Sequence, residues 1–298
     1  MAGVSGVAAL ALLGVIAVGM SVLRGVNATD RPSASNFPSY PGPEPSSPQP
    51  VTDPDRGYRP VEPWQVVRVG EPVTVRRPFT DPGTNDTHTC GLHWDDGTAD
   101  SGPARDHVCQ GTHRYAHAGM YTVGMVVTDD DGGMNRADLM VVVYDPSAGT
   151  VHGTGDIAGA HLDLTAGYPQ PSATRPTGRI SLGAPLPTAA RDMLSDGQSL
   201  DWLVVTRDGK LAVKGTAHGG SGGTVGFLIY GQAGCWTHQP NDCGSGPSRM
   251  RLVVWDVTAH GLVPGGGPAR YDNWFHGSFD LDRADPPQLS NGRLWIEQ

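Results

Sequence analysis

Alternation of apolar and polar positions is the strongest signal along the chain. Over 120–128, Tyr121, Val123, Met125 and Val127 fall on one face and Thr122, Gly124, Val126 and Thr128 on the other, the period of two that a half-buried strand requires. Similar short runs at 65–69, 72–76, 89–94, 107–115 and 137–144 predict further strands. Turn formers stand between them: Asp81-Pro82-Gly83, Asp95-Asp96-Gly97 and the Asp-Asp-Asp-Gly-Gly of 129–133. Their Asp side chains bond their own backbone, and their Gly accepts positive φ. So many short strands in about 80 residues predict a small β-sandwich. A second series follows at 157–164, 178–182, 202–206, 211–217, 224–231, 250–257 and 293–296, with Arg207-Asp208-Gly209-Lys210 as a hairpin turn. The expectation is an all-β chain of two β-sandwich domains.

The first 63 residues follow another logic. Residues 2–23 carry no charge and are dominated by Val, Ala, Leu and Gly, which suits a secretory signal or a membrane anchor. Arg24 follows the apolar run, and Val26-Asn27-Ala28 offers small residues for cleavage after Ala28. Ten of the 33 residues in 31–63 are proline, so this stretch is expected to form no packed core and to act as a semi-rigid stalk. The predicted organisation is a signal peptide or membrane anchor at 1–28, a Pro-rich disordered linker at 29–63, one sandwich at 64–147 and another at 148–298.

Composition narrows the function. Among 298 residues, 42 Gly and 26 Pro against 5 Phe disfavour a helical protein. A net charge of −9 repels phosphate backbones, so no nucleic-acid partner is expected. In an exported protein the four cysteines pair rather than bind metal, and no CxxC spacing supports zinc. Of three connectivities, the spacing selects the local bridges Cys90 to Cys109 and Cys235 to Cys243, each worth about 2–4 kcal/mol.

Four segments in order carry a family resemblance: Phe79 to Asp81, Trp94-Asp95-Asp96-Gly97-Thr98, the string from His113 through Tyr115 and Gly119 to Val123, and Val127 through Asp129-Asp130-Asp131 to Gly133. Together they resemble the PKD domain, the immunoglobulin-like module of bacterial surface proteins and exoenzymes. Here Trp94 runs directly into Asp95-Asp96-Gly97, without the aromatic and glycine the family usually places between them. The resemblance implies an immunoglobulin-like sandwich and, since some members bind calcium near this loop, calcium ligation by Asp81, Asn85 and Asp86. The extra cysteine pair 90 and 109 is read as a staple across neighbouring strands. The second half is similar to a β-sandwich that surface proteins carry after their adhesive modules.

Motifs for chemistry fail their context. Gly219-Gly220-Ser221-Gly222-Gly223 fits GxSxG, yet an apolar strand follows where a nucleophile elbow needs a helix. The glycine-rich 153–158 segment also leads into strand-like residues rather than the helix of a dinucleotide site. Asp256, Asp272, Asp280 and Glu297 are the candidate carboxylates for glycosidic cleavage, a reaction decided by their separation. Trp236 and Trp274 are the candidate ligand-binding rings, with most tryptophan expected in the core. The reading is a non-catalytic secreted or cell-surface protein for adhesion or for binding an extracellular glycan or protein, attached to membrane or wall through its N-terminus. The alternative is a secreted hydrolase of an extracellular polymer with the PKD-like domain as accessory.

Overall fold

Among the described residues, seven strands build the first sandwich: β1 (Gln65–Arg68), β2 (Pro72–Pro78), β3 (His88–His93), β4 (Ala99–Pro103), β5 (Val108–Arg114), β6 (Gly119–Asp129) and β7 (Met134–Tyr144). A computed structural model describes residues 64–81, 86–157, 160–183, 198–218, 223–236 (backbone only at 235–236), 247–257, 269–274 and 277–298. The N-terminal apolar segment, the Pro-rich linker, Asn85, the 219–222 stretch and Cys243 lie outside the described residues. One sheet runs β1-β7-β6-β3-β4 and faces a two-stranded sheet of β2 and β5. β1 pairs with β7 in parallel, and the other ladders are antiparallel.

The alternation of 120–128 is realised: Val123, Met125 and Val127 point into a core with Val73, Val75, Leu92 and Trp94, and Tyr121 packs against it. The 94–98 turn closes with Trp94 N donating to Thr98 O at 3.0 Å, Gly97 at φ 88° and Asp96 Oδ1 accepting from Thr98 N at 3.0 Å. It leads into β4, which the pattern did not predict. β4 is an edge strand whose side chains are mostly exposed, so it has no apolar face to betray it. Cys90 and Cys109 are linked. They join β3 to β5, strands of opposite sheets rather than neighbours in one sheet, so the staple runs through the core.

The second sandwich contains β8 (Thr150–Ile157), β9 (Ala160–Gly167), β10 (Thr177–Leu182), β11 (Ser199–Val205), β12 (Lys210–His218), β13 (Thr224–Gln232), β14 (Cys235–Trp236), β15 (Arg249–Asp256), β16 (Tyr271–Asp272) and β17 (Ser290–Glu297). Its sheets are ordered β10-β9-β8-β17-β14 and β11-β12-β13-β15-β16. The strand expected at 157–164 is instead the meeting point of two, β8 and β9, paired antiparallel from Val151 opposite Ala166 to Ile157 opposite Ala160. The described residues are all-β.

The second of these sheets is buried on both faces. Leu203, Val205, Val213, Phe227, Ile229 and Leu252 point inward to the other sheet. Trp202, Val204, Ala212, Leu228, Tyr230, Val253 and Trp255 point outward, and there they meet Met120 and Val142 of the first sandwich together with Leu281 and Phe279. Two-sided burial explains why these strands read as continuous apolar runs. At about 1.5–3 kcal/mol for each large apolar side chain removed from water, the outer layer is a substantial part of what holds the fold. Gly226 lies opposite Trp255, and a Cβ there would stand 2.4 Å from the indole, so the ring needs a glycine beneath it. The two sandwiches thus fall within one compact unit.

Candidate functional site

The loop after β2 carries the residues implied in calcium binding. Asp81 Oδ2 lies 2.7 Å from His88 Nε2, with both side chains nearly inaccessible at 7 % and 6 %. The ring of Phe79 meets His88 at a tilt and His107 edge-on, with centroids 4.8 and 5.5 Å away. Asp86 belongs to a wider acidic group: partial desolvation, then the charges of Asp81, Asp130 and Asp131, hold its carboxyl above the usual range. A shared hydrogen bond raises the carboxyl of Asp129 and lowers that of Asp130, and Thr87 Oγ1 donates to Asp130 Oδ2 at 3.2 Å. The fold therefore brings two sequence-distant acidic turns together. Among the described residues, Asp81 lies against the His88 imidazole and no three His, Cys, Asp or Glu side chains converge to hold a metal ion. Asn85 lies outside the described residues.

The tryptophans separate into core and surface. Trp94, Trp202 and Trp255 are buried. Trp274 is 40 % exposed in a turn where its N–H donates to Asp272 Oδ1 at 2.9 Å and its carbonyl accepts from Gly277 N at 3.0 Å. Trp236, whose backbone pairs with Ile296, belongs to the opposite sheet. The backbone of Cys235 likewise pairs with Trp295, while the bridge expected from Cys235 to Cys243 lies outside the described residues.

The four candidate carboxylates each have a separate basic partner. Asp256 meets Arg270 at 2.8 Å, Asp272 meets Arg251 at 2.6 Å, Asp280 meets Arg283 at 3.5 Å and Glu297 meets His152 at 3.2 Å. Burial pushes the Asp280 carboxyl up. Asp272 is fully buried in its ion pair, which removes it from any role against a polymer.

Register creates a constellation that sequence reasoning missed. On the outer face of the sheet β10-β9-β8-β17, His161 stands opposite Asp156, with Nδ1 3.2 Å from Asp156 Oδ1 and Nε2 3.4 Å from Thr154 Oγ1. Asn291 Nδ2 donates to the other Asp156 oxygen at 3.0 Å. Asn291, with φ of 49°, lies in the irregularity between Ser290 and Arg293, a local extra-residue kink of the kind that re-aims side chains. The bonds from Asn291 and His161 hold the Asp156 carboxyl below its ordinary range. Beside this group His152 stacks on Trp295, centroids 5.1 Å apart, and Arg293 lies 4.7 Å from the same ring. The polar alternation of β8 and β9 was the available signal, but pairing across the strands supplies the contacts.

Comparison with known proteins identifies the first sandwich. Residues 59–143 match the family model of the PKD domain. This is an extracellular-type module, and the Cys90–Cys109 disulfide suits an oxidising compartment. No curated protein matches the chain. Among solved structures, a DUF4784 family protein from Bacteroides caccae is similar at 14 % identity over 69 % of this chain, with a TM-score of 0.15. The chain spans 54 % of that protein, and a likeness this distant carries no argument.

Proposed function

We propose that the chain is a non-catalytic extracellular or cell-surface protein that binds a glycan or protein, and that it serves adhesion. The observation that carries this reading is the seam between the sandwiches. Met120 and Val142 of the PKD domain lie in one apolar cluster with Trp202, Tyr230 and Trp255 of the second domain, so the two domains are packed together and present their polar outer faces side by side. Packed presentation of solvent-facing strands suits recognition, because a preorganised surface loses little freedom on binding. The test is depletion of the full chain from solution by insoluble peptidoglycan, chitin, cellulose and collagen, with released fragments assayed in the same tubes. Selective depletion without release is expected. Failure to bind any polymer or protein surface would overturn the reading.

One observation favours a second reading, a secreted hydrolase. The hydroxyl of Thr154, the imidazole of His161 and the carboxylate of Asp156 lie in the order nucleophile, base and orienting acid. Fragment release by the full chain that Thr154→Ala abolishes would establish that reading in place of the first.

A further inference from the structure

We propose that the outer face of the β2–β5 sheet binds an anionic polysaccharide, through Arg76, Arg105 and Arg114. The inference rests on the binding reading above and gives it a ligand class. In a chain with 30 acidic and 21 basic residues, this face carries no carboxylate. Its outward positions are Pro72, Thr74, Arg76 and Pro78 on β2, and Val108, Gln110, Thr112 and Arg114 on β5. Directly paired residues share a face. Pro72 stands opposite Arg114, Thr74 opposite Thr112 and Arg76 opposite Gln110. Arg105 pairs with Val108 across the next turn, which puts it on the same side. At about 3.3 Å per residue along a strand, the rows of Arg114 and Arg76 are about 13 Å apart, and that of Arg105 lies about 7 Å further on.

The three guanidinium groups are exposed and, among the described residues, none is in an ion pair. Arg114 uses one nitrogen to donate to Gly70 O at 2.6 Å, which fixes the side chain and leaves the other donors free. The nearest acidic residues along the chain, Glu71 and Asp106, occupy the turns at the two ends and pair with none of the three. Arg105 and Gln110 also line a cleft of about 360 Å³ between β4 and β5. The one carboxylate on its wall, Asp100, accepts from Trp94 Nε1 at 2.7 Å. A flat basic stripe therefore opens into a concave pocket.

Arginine forks match carboxylate and sulfate groups in two-point contacts. The hydroxyls of Thr74 and Thr112, 2.7 Å apart, and the amide of Gln110 stand between the charges, where a sugar offers hydroxyls. Among the described residues, the apolar side chains on this face are Pro72, Pro78 and the buried Val108, so the face itself offers little apolar surface to peptide side chains. The ligand class is thus a polymer with spaced anions and many hydroxyls. The net charge of −9 does not prevent this, since beyond about 8 Å the field is screened at physiological salt.

The experiment measures retention of the full chain on immobilised polygalacturonate, heparin, neutral dextran and polyglutamate over a salt series. The triple variant R76Q/R105Q/R114Q is compared with R136Q/R249Q/R270Q, which removes the same charge from arginines that already have carboxylate partners. Expected is salt-sensitive retention on polygalacturonate, heparin or both, identifying carboxylate or sulfate, with affinity falling at least about tenfold in the first variant and within about twofold in the second. Replacement of the same three residues by lysine restores part of the binding, and unchanged circular dichroism shows that the face tolerates all three sets. Equal weakening by both glutamine variants overturns the proposal, as does polyglutamate binding as tight as binding to either anionic polysaccharide. Binding to chitin, cellulose, peptidoglycan or collagen that R76Q/R105Q/R114Q leaves intact, with no retention on the anionic polymers, overturns it too while the general binding reading stands.

Discussion

Arg251 and Asp272 form a two-point ion pair inside the second sandwich, Nε to Oδ1 at 2.9 Å and Nη2 to Oδ2 at 2.6 Å, with side chains 1 % and 0 % exposed. Arg251 also donates to Gly277 O and Ser278 O, and its guanidinium lies 4.7 Å from the Phe279 ring. Each guanidinium nitrogen and both carboxylate oxygens therefore have a partner, and the pair holds the 277–284 segment over the outer face of its sheet. Removing one partner strands a buried charge. Asp272→Ala is expected to lower the unfolding free energy by about 3–5 kcal/mol, read from urea denaturation at constant m-value. A loss below 1 kcal/mol would mean that the site is wetter than its geometry implies.

The seam between the sandwiches makes a second prediction. Met120 is 2 % and Val142 0 % exposed, although both point away from the core of their own sandwich and toward Trp202 and Trp255. The full chain should unfold in one transition when tryptophan fluorescence and far-ultraviolet circular dichroism are followed together. Met120→Asp places a charge in the seam and should split the transition in two. Two transitions already present in the unchanged protein would count against energetic coupling of the domains.

How much of this was legible in the sequence depended on which side of each strand carried information. The 120–127 stretch was readable because one face enters the core and the other does not. In β8 the inward positions at 153 and 155 are glycine, and a Cβ at Gly153 would stand 2.9 Å from Leu294, so close packing erased the apolar alternation. The runs 202–205 and 227–230 disclosed burial on both faces without disclosing that Met120 and Val142 cover them. The calcium assignment to Asp81, Asn85 and Asp86 is what the family resemblance implies, while the 2.7 Å approach of Asp81 to His88 is set by the fold. Likewise His161 meets Asp156, and Arg76 shares a face with Arg114, through register that a linear pattern does not contain.

The disulfide supports a third prediction. Cys90 and Cys109 are 19 residues apart in sequence, and closing a loop of that length in the unfolded chain contributes about 3 kcal/mol to stability. The double variant Cys90→Ala with Cys109→Ala should lose that amount plus a small packing term, since both side chains are buried at 6 % and 0 %. Non-reducing peptide mapping should recover Cys90 joined to Cys109. A Cys90–Cys235 or Cys109–Cys243 peptide would contradict the fold.

Acid dependence should centre on Asp96 and its partner His113. Asp96 Oδ2 lies 2.7 Å from His113 Nε2, and Oδ1 accepts from Thr98 N at 3.0 Å and from Thr98 Oγ1 at 2.5 Å. Burial alone would raise this carboxyl, but the bonds from Thr98 and His113 outweigh it and hold the group below its ordinary range. A depressed carboxylate contributes stability above its unfolded value of about 3.9, and the contribution is lost as pH falls through the lower folded value. The unfolding midpoint should therefore drop on acidification below about pH 4. Asp96→Asn removes the charged acceptor and should cost about 1–2 kcal/mol at pH 7, while flattening that acid limb. Asp280 has the opposite sign: burial raises its carboxyl, so its charged form is a penalty that acidification relieves. Asp280→Asn should accordingly be near neutral at pH 7. Melting curves of the two variants from pH 3 to 8 check both signs, and an Asp96→Asn curve parallel to that of the unchanged protein would remove Asp96 from the acid response.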